Sequence, residues 1–383
     1  MASRDTRRPP SPSRPLPLLA GLTPAQFMRR HWQRKPLLVR GAIPGFQPLL
    51  SRAQLFALAA DEDVESRLIV RTPRVGWTLR HGPLARSALP PLKQLGWTLL
   101  VQGVDLHDDA AHALLQSFRF VPDARLDDLM ISWASDGGGV GPHCDSYDVF
   151  LLQAHGRRRW RIGRAKDSSL EADAPLKILR RFVAEQEFVL EPGDLLYLPP
   201  RWAHDGVAVG GDCMTYSIGM RAPQRGALAA ELTARLADTL DDEALYTDSQ
   251  QHATERPGAI PPQLQAFAAD AVRRFLGEPD VVARALGELL SEPKPHVLFE
   301  RPSRAWRAGA LVLDRRTRML YDERNVYING ESTRARGKNA ALLRRLADER
   351  ALGAAAVRAA SPAARARLRE WFSAGWLRAR SPR

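Results

Sequence analysis

Between about residues 65 and 222, short apolar or alternating runs recur: SRLIV, WTLLVQGV, LMISWAS, YDVFLLQ, RRRWRIG, EFVL and LLYLPP. Gly137-Gly138-Gly139, Pro192-Gly193-Asp194 and Pro199-Pro200 punctuate them. Period-two runs bounded by such turn residues predict short strands, and many at this spacing predict a β-sandwich or barrel. Upstream, Thr23 followed by Pro24 predicts the N-cap and first residue of a helix carrying Phe27 and Trp32. After about 224 the period lengthens to that of a helix. Leu228, Leu232, Leu236 and Leu240 follow it, as do Leu264, Phe267, Ala271 and Phe275, then Val282, Leu286 and Leu290, up to Pro293 and Pro295. The rest mixes strand-like ALVLD and NVYIN with helices around 339–352 and 361–373, an order suited to a small winged-helix-like module. No solenoid repeat is present. The pattern divides the chain into a basic arm (1–21), a β-rich domain (22–223), a helical segment (224–295) and a winged-helix-like domain (296–383).

A length of 383 residues suits two or three domains. With 44% hydrophobic and 26% charged residues the chain is not globally disordered. Its longest stretch without charge, Pro15 to Met28, is about 14 residues, short of the roughly 20 that span a bilayer. Arginine and proline fill the N-terminus where a secretory signal needs an apolar core. Cys144 and Cys213 are the only cysteines and make no disulfide framework, which predicts a reducing cytoplasm. The net charge of +13 favours polyanionic surroundings. Yet only six of the 56 basic residues are lysines, and arginine and alanine abound throughout, so coding composition explains the charge equally well.

The candidate chemistry lies in Gly141-Pro142-His143-Cys144-Asp145-Ser146-Tyr147. On a strand, residues two apart share a face, which puts the His143 imidazole beside the Asp145 carboxylate. A third donor, His204, follows the strand LLYLP in Pro199-Pro200-Arg201-Trp202-Ala203-His204. Two histidines and a carboxylate are the facial triad of non-haem Fe(II) oxygenases, with three adjacent positions left open. A bare His-x-Asp is weak, because His107-Asp108-Asp109 satisfies it too, at the entrance to a predicted helix and without a distal histidine. In Arg157-Arg158-Arg159-Trp160-Arg161-Ile162, alternation places Arg158 with Trp160 and Ile162 on the apolar face and the other three arginines outside. A buried guanidinium requires an anion, either an internal acid or the distal carboxylate of a dicarboxylic co-substrate, and the blander reading is an arginine on an edge strand.

At this point the chain resembles a known family. GGGVGPHCDSYDVFLLQAHGRRRWRIG, EPGDLLYLPPRWAHDG and MTYSIGMRAP are similar to the JmjC-type cupin core of the ribosomal oxygenases, above all the bacterial YcfD-like members. HWQRKPLLVRGAIPGF, DDLMISWAS and VYINGE extend the likeness over roughly residues 20–335. The resemblance implies an α+β protein: a double-stranded β-helix (cupin) core, a helical dimerisation segment and a C-terminal winged-helix domain. It implies Fe(II)- and 2-oxoglutarate-dependent hydroxylation by O2 of an arginine β-carbon on the sixteenth protein of the large ribosomal subunit. Carried over to this sequence, His143, Asp145 and His204 would bind Fe(II), and Arg158 with Ser132 would hold 2-oxoglutarate. Asp136, Tyr147 and Ser217 are candidates to contact the substrate guanidinium. A cytoplasmic homodimer acting on a ribosomal protein or the ribosome is the expectation.

Blander readings accompany these. Cys144 is expected to be a small core residue, His155 structural, and Trp202, Trp371-Phe372 and Trp376 core or interface. Rival functions are a ribosomal histidyl hydroxylase of the same family, a cupin with another metal or substrate such as an isomerase, and a non-catalytic winged-helix protein that binds nucleic acid.

Overall fold

Side chains that alternate along extended backbone let one strand serve two cores, and the β-rich half of the chain is built this way. The computed structural model describes residues 9–237, 244–249, 256, 258–276, 279–304, 306 and 309–380. Its first strands are β1 (Leu37–Val39), β2 (Ser66–Thr72), β3 (Gly76–His81), β4 (Trp97–Val101), β5 (Leu126–Ala134), β6 (His143–Cys144), β7 (Val149–His155), β8 (Arg158–Arg164), β9 (Gln186–Leu190), β10 (Leu195–Leu198), β11 (Trp202–Ala208) and β12 (Cys213–Met220). They form an eight-stranded sheet in the order β1-β10-β7-β12-β5-β4-β2-β3 and a four-stranded sheet in the order β6-β11-β8-β9. The sandwich read from the punctuation is present.

Phe150 and Leu152 of β7 pack on one side with Phe27, Leu55 and Leu115, which belong to helices α1 (Pro24–Arg30), α2 (Arg52–Leu58) and α3 (Asp109–Gln116). The intervening Val149 and Leu151 pack on the other with Trp160 and Ile162 of the smaller sheet. Helix α1 starts as predicted, with a capping box between Thr23 and Gln26, but it ends at Arg30. Trp32 lies beyond it and stacks on Tyr197 at 6.0 Å. The Asp108 carboxylate accepts from the Ala111 N–H at 2.8 Å, so the His107-Asp108-Asp109 sequence is a helix cap.

Helices α4 (Arg225–Ala237), α5 (Pro262–Leu276) and α6 (Pro279–Ser291) follow. Leu240 and arm residues 1–8 lie outside the described residues. The C-terminal part comprises β13 (Leu311–Leu313), a meander of β14 (Met319–Tyr321), β15 (Asn325–Ile328) and β16 (Glu331–Arg334), then α7 (Gly337–Glu349), β17 (Ala351–Leu352), α8 (Ala354–Arg358), α9 (Pro362–Ser373) and β18 (Leu377–Ala379). Helix α7 stops before the predicted 352 because Arg350 turns left-handed (φ 51°) and Ala351 enters a strand. This part has its own core of Leu343, Leu346, Leu368, Trp371 and Phe372, with Trp376 packed against it. It grips the β-rich domain through polar contacts. Arg119 donates to the Ala347 carbonyl (3.0 Å), Arg315 to the Leu106 carbonyl (2.7 Å) and Arg318 to the Leu126 carbonyl (3.2 Å), and Lys294, at the end of the helical segment, pairs with Asp128 at 2.8 Å.

Candidate metal centre

The pairing of β6 with β11 sets His143 directly opposite His204. Their ring centroids are 4.2 Å apart. Strand β6 is only two residues long, so Asp145 stands just past its end, where its carbonyl accepts the Arg201 N–H at 3.0 Å. Its Oδ2 nevertheless lies 3.6 Å from His204 Nε2 and 4.0 Å from His143 Nε2. Among the described residues these three form the one cluster of potential ligands, with donor atoms all within 4.8 Å of one another.

The surroundings prepare the histidines for a metal. His143 Nδ1–H donates to the Gly141 carbonyl (2.9 Å) and His204 Nδ1–H to the Trp202 carbonyl (3.0 Å). A carbonyl only accepts, so each ring keeps its proton on Nδ1 and turns the lone pair of Nε2 toward the cluster. Burial, and then the neighbouring His143, push His204 well below the ordinary histidine value and keep it neutral. The glycine turn is a steric need. A β-carbon on Gly139 would lie 2.5 Å from the Gly206 carbonyl, and Gly141, at φ +79°, meets the Trp77 ring at 2.9 Å. Two imidazoles and one carboxylate on one side suit a divalent first-row metal with open positions.

Arg158 lies four residues along β8 from Ile162, the partner of His204 in β11, and is 4% exposed. Among the described residues its guanidinium makes a single, long hydrogen bond, from Nη1 to Ser132 Oγ (3.5 Å). Nε and Nη2 are buried without a partner, and among the described residues no acid pairs with it. Among the described residues no internal acid supplies the counter-charge, and a bound carboxylate fits the fork. The three neighbouring arginines face outward, with Arg161 on Asp205 at 2.6 Å. Sequence reasoning gave no role to Trp160, whose ring is 5.6 Å from the Arg158 guanidinium and 5.8 Å from the His204 ring. Its only signal was its place between the arginines.

The substrate candidates separate. Tyr147 is 39% exposed near Asp145; burial and then that charge hold its hydroxyl in the protonated form. Ser217 is half-buried on β12 and alternates with Tyr216 and Ile218 of the helix-side core, so it faces the sandwich interior. Asp136 instead accepts from the Gly210 N–H (2.9 Å) and lines a cavity of about 800 Å³ with Arg71 and Arg159, whose walls include no triad residue. Cys144 is half-buried and belongs to none of the hydrophobic core clusters, so the core position expected for it is not the one it takes. His155 is exposed, 3.7 Å from Asp212.

Residues 113–228 match the JmjC domain family and residues 268–378 the ROXA-like winged helix, and an AraC-like ligand binding domain matches 178–289. The chain is 34% identical to the ribosomal protein uL16 3-hydroxylase of Escherichia coli (strain K12), over 80% of this chain and 84% of that one. It is 38% identical to a probable ribosomal oxygenase of Haemophilus influenzae, over 53% of this chain and half of the other. The structure of YcfD, a ribosomal oxygenase from Escherichia coli, in complex with cobalt and 2-oxoglutarate superposes with a TM-score of 0.80 at 30% identity, covering 93% of this chain and 98% of that one.

Proposed function

The chain belongs to the JmjC-domain ribosomal oxygenases, and from that premise we propose that it hydroxylates an arginine β-carbon of the ribosomal protein uL16, the sixteenth of the large subunit. It is an Fe(II)- and 2-oxoglutarate-dependent ribosomal-protein hydroxylase with a JmjC cupin core and a C-terminal winged helix. The observation that carries the site assignment is Arg158: a buried guanidinium without an acid, on the same interior as the His143–Asp145–His204 cluster.

His143, Asp145 and His204 would hold Fe(II) from one side. The bound metal, with 2-oxoglutarate and O2, supplies the oxidising power that converts a substrate C–H to C–OH as 2-oxoglutarate becomes succinate and CO2. The chain's own residues do the positioning. Arg158, steadied by Trp160 and Ser132, would clamp the distal carboxylate and so orient the keto-acid end toward the triad. The carbonyls of Gly141 and Trp202 keep both imidazoles in the metal-binding tautomer. Tyr147 and Ser217 would meet the substrate side chain, whereas Asp136, in its separate cavity, would reach only a flanking part of the protein substrate.

The helical segment would pair two copies, as the family resemblance implies; α5 leaves Leu264, Phe267, Val272 and Leu276 exposed. No helix of the described residues is long and apolar enough to cross a membrane, and a ribosomal substrate sets the enzyme in the cytoplasm. Succinate release with purified uL16 tests the reading: a protein substrate must raise it, and Arg158→Ala must shift its 2-oxoglutarate dependence.

A further inference from the structure

The basic excess is not spread along the chain. Residues 296–383 hold 20 Lys and Arg against 8 Asp and Glu, whereas residues 1–295 hold 36 against 35. A coding bias toward arginine acts on both segments alike, so it does not explain an imbalance confined to one of them. From residue 350 to 383 the sole acid is Glu370, against eight arginines.

Part of that charge is committed. Arg315 and Arg318 dock onto the β-rich domain, Arg316 and Arg378 pair with Asp314, and Arg367 pairs with Glu370. Much of the remainder gathers at one end of the helical layer. Ser361 Oγ and Asn339 Oδ1, 2.9 Å apart, join the first turn of α9 to the first turn of α7. Arg365 donates to the carbonyl of Arg358, the last residue of α8, at 3.1 Å. Around these contacts stand Arg336 and Lys338 at the start of α7, Arg358, and Arg365 with Arg369 one turn along α9. Arg336, Lys338, Arg358 and Arg369 are exposed, and among the described residues none has an acidic partner. Helices α8 and α9, with a three-residue turn between them, make a helix-turn-helix, and the basic face runs from the first turn of α9 across the end of α8 to the start of α7.

We propose that this face of the winged-helix domain binds the phosphate backbone of structured RNA and docks the enzyme on the ribosomal particles that contain its substrate. The choice of RNA among polyanions rests on the reading above that the substrate is a ribosomal protein. Planar guanidinium forks match phosphate oxygens in pairs, and contacts of this type position a protein on a helix without reading its sequence.

The test is fluorescence anisotropy of the full-length enzyme with a labelled RNA hairpin across a salt series. Duplex DNA and poly-L-glutamate serve as competitors, and hydroxylation of a free uL16 peptide is followed in the same preparations. The variant Arg336→Gln/Lys338→Gln/Arg358→Gln/Arg369→Gln should weaken RNA binding by roughly tenfold or more and lower the salt slope by about three, since each phosphate contact contributes about 0.7–0.9. Its peptide hydroxylation should be unchanged. Absence of RNA binding by the unaltered enzyme, or equal binding by the variant, overturns the proposal. So does equal competition by DNA, or by poly-L-glutamate, which would reassign the face to an acidic protein. RNA binding with no peptide turnover would support this face and overturn the hydroxylase reading instead.

Discussion

Gly206 lies flat against the Trp160 ring: a β-carbon at 206 would come within 2.6–2.8 Å of three of its carbons. That ring in turn backs both Arg158 and His204. Gly206→Ala must displace Trp160, and overpacking of this type costs about 1–3 kcal/mol. The expected outcome is a raised 2-oxoglutarate requirement together with weaker metal retention, read from succinate titrations and cobalt binding. A variant changed in stability alone would mean that Trp160 supports neither group.

Arg158→Ala is expected to weaken 2-oxoglutarate on the order of 2–4 kcal/mol, because a desolvated bidentate pair is lost. Arg158→Lys should recover only part, since an ammonium keeps the charge but not the fork. Calorimetric binding of 2-oxoglutarate to the cobalt-loaded enzyme checks both. Unchanged affinity in Arg158→Ala would place the carboxylate elsewhere.

Lys294→Met should destabilise the chain by on the order of 2 kcal/mol. Its ammonium joins Asp127 (3.2 Å) and the nearly buried Asp128 (2.8 Å), and its removal strands the Asp128 charge at the domain seam. Urea midpoints should show the loss, and Asp128→Asn in the same chain should restore part of it.

His112 gives the seam a pH dependence. Burial, then the nearby Arg350 charge, pushes its pKa from 6.5 down to about 3. Between those values the unfolded chain takes up a proton that the folded chain refuses, so stability falls as pH drops below about 6.5 toward 3 and is unaffected by this residue above. Asp105, raised by burial to about 7, works in the opposite sense, losing stability as pH rises from 3.8 toward 7. The diagnostic is therefore the difference between the unaltered chain and His112→Leu: the variant should lose less stability between pH 7.5 and pH 5, and an equal loss would contradict the assignment.

Much of this was legible in the sequence. The strands announced themselves through period two, and the inward face of β8 followed from alternation alone, because Arg158, Trp160 and Ile162 share it. What sequence could not supply were contacts between residues distant in the chain. The pairing of His143 with His204 is a register across β6 and β11. The partnerless state of Arg158 is a property of everything packed around it. Asp136 shows the same limit: closeness in sequence to the glycine turn points to the site, whereas the turn carries its carboxylate to Gly210 and into a cavity lined by no triad residue. The Thr23-Pro24 pair marks where α1 starts but not where it stops: the helix ends at Arg30, before Trp32.

The most direct measurement is mass spectrometry of uL16 after incubation with the enzyme, Fe(II), 2-oxoglutarate and O2, with His204→Ala in parallel. A one-oxygen increase on an arginine of uL16, absent with His204→Ala, is the expected result and joins reaction, substrate and metal ligand in one observation. No oxygen gained by uL16, or an equal gain with His204→Ala, would contradict it.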